Sequence, residues 1–316
     1  MQDTQTFDQM LAALPPRITQ RSPIKRVVGC AGDQPSILIT GCSSGIGMDA
    51  ALRLAVLGWR VTATCRRAPP PVLEACGARV VQLDLESAAS IIAAVAQIRS
   101  CQAVPLDAVF LNAGYAVAGA TEDLPLNAWH AQFQVNLFSQ VDLANRLIRA
   151  GLLDQGSRIV WCGSILGIVP MPMRGAYAAS KAAMEAVADV QRLELAHKGI
   201  AVSVIQPGPI LTQFRANSLA ALHRWVNLET SDYLPAYAAT LARLQKVGAA
   251  SPGTLGPEAV TEALLRCLHA TRPAARYRVT RNTTVMEAMR RVLPRRWLDA
   301  VVRRTAGREL LPVDES

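Results

Sequence analysis

The stretch SILITGCSSGIGMDAALRLAVLG, residues 36–58, decides the fold. Its opening, SILIT (36–40), is a short apolar run that ends at glycine, as a buried strand does. Its close, GMDAALRLAVLG, spaces apolar residues as a helix does and stops at Gly58. Between them TGCSSGIG (40–47) sets Gly41, Gly45 and Gly47 at the spacing G-x-x-x-G-x-G. Glycine there allows a tight turn and a close backbone approach to a ligand. The helix start that follows offers free N–H groups and a positive dipole end to a pyrophosphate. The position of the loop, directly between strand and helix, makes it a dinucleotide signal rather than a plain glycine-rich turn.

Reading outward, the alternation continues. Strand patterns fall at WRVTATC (59–65), ARVVQLDL (78–85), LDAVFLNAG (106–114), SRIVWCGS (157–164) and IAVSVIQPGP (200–209). Helical patterns separate them, the longest running from Asp123 to Leu153. The strands are continuous apolar runs, so both faces of their sheet must be covered. This predicts an α/β fold: a doubly wound parallel sheet with helices on both faces. RYRVT (276–280) would make about seven strands. Residues 1–35 are polar and weakly periodic and read as a mobile extension; 36–316 read as one domain.

The chain has 316 residues, half of them hydrophobic, enough for a sizeable core. No apolar run reaches the roughly 18–20 residues that cross a bilayer, and the N-terminus lacks a secretory pattern. The seven cysteines are scattered and read as reduced thiols of a cytoplasmic protein. Four histidines without ligand spacing give no metal site. The net charge is +9, and twelve arginines against five acids between Arg266 and Ser316 supply most of it. A solvated basic surface and a patch for anionic lipid are both open readings. Nucleic acid is not expected, since no aromatic-and-basic binding motif accompanies the charge.

The second strand ends Thr64-Cys65-Arg66-Arg67, without the carboxylate that would bind the ribose hydroxyl of NAD. Arginine instead suits a 2′-phosphate, so NADP(H) is expected over NAD(H). Asp84 could accept from the adenine amino group or cap a turn.

Asn112, Asn136, Ser164, Tyr177 and Lys181 fall after strand ends or on neighbouring helices, where such a sheet binds ligands. Tyr177 and Lys181 are one turn apart on one helical face. Free tyrosine titrates near 10; a lysine ammonium close by in a dry cleft favours the phenolate. Tyr177 could then exchange a proton with a carbonyl oxygen as hydride arrives at carbon. Ser164 would hold that oxygen, and Asn136 would orient a water on the proton path.

Taken together, TGCSSGIG, LNAG (111–114), Asn136, Ser164, YAASK (177–181) and PGPI (207–210) with Thr212 resemble the short-chain dehydrogenase/reductase family. The matched pieces span about residues 36–215. The resemblance implies a Rossmann-like fold and an oxidoreductase that interconverts an alcohol and a carbonyl with NAD(P). The family's catalytic tetrad maps onto Asn136, Ser164, Tyr177 and Lys181. Its cofactor contacts map onto Gly41, Ser43, Ser44, Gly45, Ile46, Gly47, Arg66, Asp84, Asn112, Gly114, Tyr177, Lys181, Pro207, Ile210 and Thr212. The usual NNAG is LNAG here, and residues 1–35 have no family counterpart. ITGCSSGIG with RVTATCR is similar to the branch with 17β-hydroxysteroid and retinol dehydrogenases, which implies a small apolar alcohol or ketone. The family also implies a substrate lid at 210–256 and a homodimer or homotetramer.

Other readings exist: a silent NADP(H)-binding sensor of the same fold, and a sugar-nucleotide epimerase or dehydratase sharing Y-x-x-x-K. The basic tail, 281–316, has apolar residues at helical spacing around Pro294. It could pack on its own domain, cover the substrate mouth or lie on a membrane surface.

Overall fold

Residues 34–249 and 251–311 are described by the computed structural model; the expected extension lies almost wholly outside them. Among these residues seven strands form one parallel sheet in the order β3-β2-β1-β4-β5-β6-β7. β1 (Ser36–Ile39) leads through the glycine loop into α1 (Gly45–Val56). Then come β2 (Arg60–Cys65), the short α2 (Pro71–Ala75), β3 (Arg79–Gln82) and α3 (Ala88–Cys101). β4 (Ala108–Leu111) is followed by α4 (Leu126–Phe133) and α5 (Ser139–Arg149). β5 (Arg158–Cys162), α6 (Gly175–Glu194) and β6 (Ala201–Gln206) complete the centre. Beyond them lie α7 (Phe214–Trp225), α8 (Leu234–Gln245) and α9 (Glu258–His269). The edge strand β7 (Arg276–Arg278), α10 (Arg281–Val292) and α11 (Arg295–Ala306) follow.

Why the strands are apolar throughout is plain from the two cores they separate. Ile37, Ile39, Phe110 and Ile205 face α1 and α9, whose Leu52, Leu54, Val260 and Leu264 pack on them. Leu38, Val109, Ile159 and Val204 face the opposite way, onto Ile91, Leu143, Leu147 and Met184 of α3, α5 and α6. Alternate residues point to alternate faces, and neither face meets water. The strand order reverses direction between β1 and β4, and that switch point opens the ligand crevice of such sheets.

Three expectations shift in detail. The sixth strand stops at Gln206, because Pro207 and Pro209 have no N–H to give the ladder. The third stops at Gln82, and Leu83, Asp84 and Leu85 go on as a wall of the crevice. The long helical run is broken by a π-helical segment, Gln134–Phe138, between α4 and α5. Such a wider turn re-aims the residues that follow it, and Asn136 lies inside it, fully buried.

In the tail, Pro294 separates α10 from α11, as proline's ring and missing donor require. The apolar side of the pair packs on the protein itself. Leu298 is buried against Ile168 and Val169, with Met286, Met289 and Val302 around it. Just beyond α11, buried Glu309 takes ion pairs from Arg174 and Arg243, each at 2.5 Å. Leu311 tucks among Val117, Leu222 and Tyr237.

Candidate active site

The glycine loop has the geometry its sequence promised. Gly41 (φ 74°) and Gly45 (φ 59°) occupy the left-handed region that side chains avoid. Gly47 is there for space. A Cβ on it would collide with the Gly41 carbonyl and lie 2.7 Å from Asn112 Nδ2. That amide in turn donates to the Thr40 carbonyl at 2.9 Å, while Thr40 Oγ1 accepts from the N–H groups of Asn112 and Ala113, both 2.9 Å. Thus Asn112 ties the end of β4 to the loop after β1. Ser44 takes an extended conformation before α1 and makes no side-chain cap, so the first N–H groups of the helix stay uncapped by it. Ile46 packs on the α1 side of the core.

A cleft of about 330 Å³ opens at this edge. Gly41, Ser43, Thr64, Arg66, Asp84 and Gly114 line it, which brings the two ends of the expected cofactor set together. Arg66 is largely exposed, and among the described residues only Glu86 comes within ion-pair range, at 3.9 Å. Asp84 uses one oxygen to cap the Glu86 N–H at 2.9 Å, so the turn-cap reading holds for that oxygen. Arg224 and Trp225 of α7 also line the cleft. Neither carried a motif, and only their place after PGPI could have flagged them. Thr212 hangs over Gly45: a Cβ built there would lie 3.1 Å from Thr212. Its Oγ1 accepts from the Phe214 N–H at 3.2 Å and starts α7. Pro207 accepts at its carbonyl from Ile165, and Ile210 is bridged to Leu255.

A Gly47→Ala chain should fold but lose most dinucleotide affinity, because the clash is with backbone rather than a flexible side chain. Fluorescence titration with NADPH should show a Kd at least about tenfold weaker, one power of ten in the constant being about 1.4 kcal/mol. An unchanged Kd would remove the cradle from this loop.

Asn136, Ser164, Tyr177 and Lys181 are all buried and converge where β4 and β5 end. Asn136 grips the chain after β4: its Nδ2 donates to the Tyr115 carbonyl at 3.0 Å, and its Oδ1 accepts from the Tyr115 N–H at 3.2 Å. Ser180, on α6, holds the same Nδ2 at 3.2 Å. Gly114 is pressed against both Asn136 and Lys181; an added Cβ would lie 3.1 Å from Asn136 Oδ1 and 3.8 Å from Lys181 Nζ. Lys181 Nζ donates to the Cys162 carbonyl at 2.7 Å and lies 5.9 Å from the Tyr177 ring centre. Ser164 Oγ accepts from the Leu166 N–H at 3.1 Å. The Phe214 ring meets Tyr177 edge-on at 5.4 Å.

The electrostatics differ from expectation in one respect. Burial pushes the Tyr177 phenol well above its ordinary value, and the Ser164 hydroxyl only partly opposes this. Burial likewise lowers the Lys181 ammonium, with Cys162 and Glu185 working the other way. The lysine's hydrogen bond goes to Cys162, so desolvation wins over any ammonium effect on the phenol. Without dinucleotide, an ultraviolet difference titration of the protein against its Tyr177→Phe variant should therefore show no tyrosinate below pH 10. A step near pH 7 would contradict the dominance of burial.

A buried tyrosine and lysine one turn apart, with a buried serine and a glycine cradle near them, make up this edge of the sheet. The family model described as short chain dehydrogenase matches residues 35–222. The chain belongs to the short-chain dehydrogenases. The oxidoreductase YbbO of Escherichia coli K12 is 38% identical over 271 residues, 85% of this chain and 94% of the relative. Mouse 17-beta-hydroxysteroid dehydrogenase type 1 is 31% identical, covering 82% of this chain and 77% of its own. A short-chain dehydrogenase/reductase structure from Burkholderia phymatum, in complex with NAD, superposes with a TM-score of 0.69. It is 22% identical and covers 89% of this chain and 98% of its own, so it speaks for the shared fold. As a short-chain dehydrogenase the protein is an oxidoreductase that acts on CH–OH groups with NAD(P).

Two features of this site had no sequence signal. Met173, just before α6, has φ 60°, rare for a residue with a side chain. Its carbonyl accepts from the Gly119 N–H at 2.9 Å, which fixes the approach to α6. The second is the Glu309 bridge to Arg174, the residue immediately before α6.

Proposed function

We propose that the protein is an NADP(H)-dependent dehydrogenase/reductase of apolar alcohols and carbonyls, with Tyr177 as the proton donor and acceptor. The observation that carries this is the convergence of buried Ser164, Tyr177 and Lys181, with Lys181 pressed close to Gly114, a residue of the glycine cleft. When bound, the dinucleotide supplies or takes up the hydride. Ser164 donates a hydrogen bond to the substrate oxygen and fixes it beside the phenol. Tyr177 gives its proton to that oxygen in reduction and removes it in oxidation. Lys181 stabilises the phenolate once it forms, and holds the nicotinamide ribose. Asn136 keeps the chain after β4 in place beside them and orders water on the proton path. A high phenol pKa suits the reduction direction, where tyrosine must arrive protonated.

Preference for NADP(H) rests on Arg66, exposed at the cleft wall where a carboxylate would otherwise bind ribose hydroxyls. A charge-assisted hydrogen bond contributes about 1.5–3 kcal/mol, a factor of roughly 10–150. Arg66→Ala should lower the NADPH-to-NADH ratio of kcat/KM by about that factor; an unchanged ratio would refute the assignment.

The apolar substrate is supported by the helices α7 and α8, read as a lid within one catalytic domain. Leu222, Val226 and Tyr237 close a buried cluster with Val117 and Met173, and Tyr115, Leu219 and Trp225 pack on its margin. The steroid activity in the name of the mouse relative agrees with an apolar substrate. Following NADPH absorbance against steroids, retinoids, aliphatic aldehydes and 3-ketoacyl compounds tests the class; turnover of polar sugars alone would overturn it. A homo-oligomer is proposed as well. Val190 and Leu193 of α6 are exposed, and an open apolar groove runs between α5 and α6. No helix among the described residues is long and apolar enough to cross a membrane. The six described cysteines are all free, which suits a reducing cytoplasm.

A further inference from the structure

The hairpin of α10 and α11 has two unlike sides. Its inner side is accounted for: Leu298, Met286, Met289 and Val302 pack on Ile168 and Val169. Glu287, also inward, binds Arg278 and Arg291, and Arg291 lies 2.7 Å away. Its outer side is not accounted for by the fold. Arg290, Arg295, Arg296, Arg303, Arg304 and Arg308 are exposed and take no ion pair among the described residues. Among the described residues of the tail only Asp299, also exposed, carries an unpaired negative charge, since Glu287 and Glu309 already hold arginines. On α11, Arg296, Ala300, Arg303 and Arg304 follow one another at helical spacing, opposite Leu298, Val301 and Val302.

Large apolar groups are exposed on the same two helices. Trp297 is 57% exposed, Val292 80% and Val285 47%. Leaving a tryptophan and two valines in water beside unpaired guanidiniums is unfavourable for a free surface. It is the composition an interfacial helix uses: arginines among headgroup phosphates, an indole at the polar–apolar boundary, and aliphatic side chains below it.

We propose that this hairpin docks the protein peripherally on anionic lipid bilayers, through its unpaired arginines and the exposed Trp297 and Val292. A bilayer fits better than nucleic acid, because Val285 and Val292 find no apolar receptor on a phosphate backbone. The hairpin lies against Ile168 and Val169, four and five residues past Ser164, so docking would hold the reacting edge near the lipid. The surface is read from the tail alone and stands apart from the substrate assignment.

The test uses the full chain and vesicles of phosphatidylcholine, with or without about one third phosphatidylserine. Sedimentation should show binding to the anionic vesicles only, weakened strongly by half-molar salt. Each arginine near such a surface is worth about fivefold in affinity. The variant R295E/R296E/R303E/R304E should therefore lose roughly a hundredfold or more, yet keep its melting temperature and turnover of a soluble carbonyl. W297A should bind several-fold more weakly and lose the blue shift of tryptophan emission on vesicle addition. Equal binding to neutral vesicles, undiminished binding by the quadruple variant, or tighter binding to duplex DNA than to vesicles would each overturn the proposal.

Discussion

Replacing Tyr177 by phenylalanine should reduce kcat by about a thousandfold or more while leaving the dinucleotide Kd within a fewfold. General acid–base assistance is worth roughly 10²–10⁴ in rate. The phenol is buried in the same pocket of the fold as Ser164 and Lys181, where the substrate oxygen is proposed to lie. The ring itself stays: Phe keeps the edge-on contact with Phe214 at 5.4 Å and the packing of a residue only 6% exposed. Loss of one hydroxyl therefore separates chemistry from folding. Measuring kcat by NADPH absorbance and Kd by fluorescence on the same preparation decides the matter. Turnover surviving within tenfold would make another group the acid and remove Tyr177 from the mechanism. Loss of both turnover and Kd would mean the phenol organises the cleft instead.

The second large effect is expected far along the chain, at Glu309. Its side chain is 8% exposed and lies 2.5 Å from both Arg174 and Arg243, which are themselves 13% and 28% exposed. Breaking a buried pair leaves an uncompensated charge and costs about 3–5 kcal/mol. Arg243 keeps some water, so the lower end applies. Glu309→Gln should lower Tm by roughly 6–12 °C, at about 2–4 °C per kcal/mol for a chain of this size. It should also slow turnover, since Arg174 starts α6 and Arg243 belongs to α8, proposed here as lid. Burial raises the Glu309 carboxyl, but the two guanidiniums outweigh that and hold it below its usual value. A depressed folded value gives stability that is present above about pH 4.3, where glutamate titrates in an unfolded chain. That stability is lost as pH falls through the folded value. Acid unfolding of the wild type and E309Q should thus converge at low pH; parallel curves throughout would show that the bridge contributes nothing.

What the sequence made legible and what it hid follow from the range of the interactions. The glycine loop is local: strand, turn and helix are contiguous, so 36–58 carries its own geometry. Tyr177 and Lys181 share a helical face by spacing alone. Asn136 was legible as a residue but not as a position, because the π turn that aims it depends on packing around Gln134–Phe138 rather than on a local signal. The high pKa of Tyr177 was hidden for a related reason. Spacing shows that a lysine is near, whereas the winning effect is desolvation by parts of the chain distant in sequence. The positive φ of Met173 and the partner of Arg174 left no trace at all, since a strained turn and a contact across 135 residues have no motif. The tail gave its amphipathic spacing and its break at Pro294, and left open which side met the protein.

That same separation sets an order of events during synthesis. Arg174 leaves the ribosome 135 residues before the carboxylate that neutralises it. At about 5–20 residues per second, elongation takes on the order of ten seconds to cover that interval. Throughout it the sheet can assemble around β1 to β6, while the start of α6 carries a guanidinium whose carboxylate has not yet been made. The Arg174 end of α6 is then among the late parts of the molecule to settle, completed when Glu309 arrives. A chain released before that point would keep its glycine cradle and leave Arg174 without this partner.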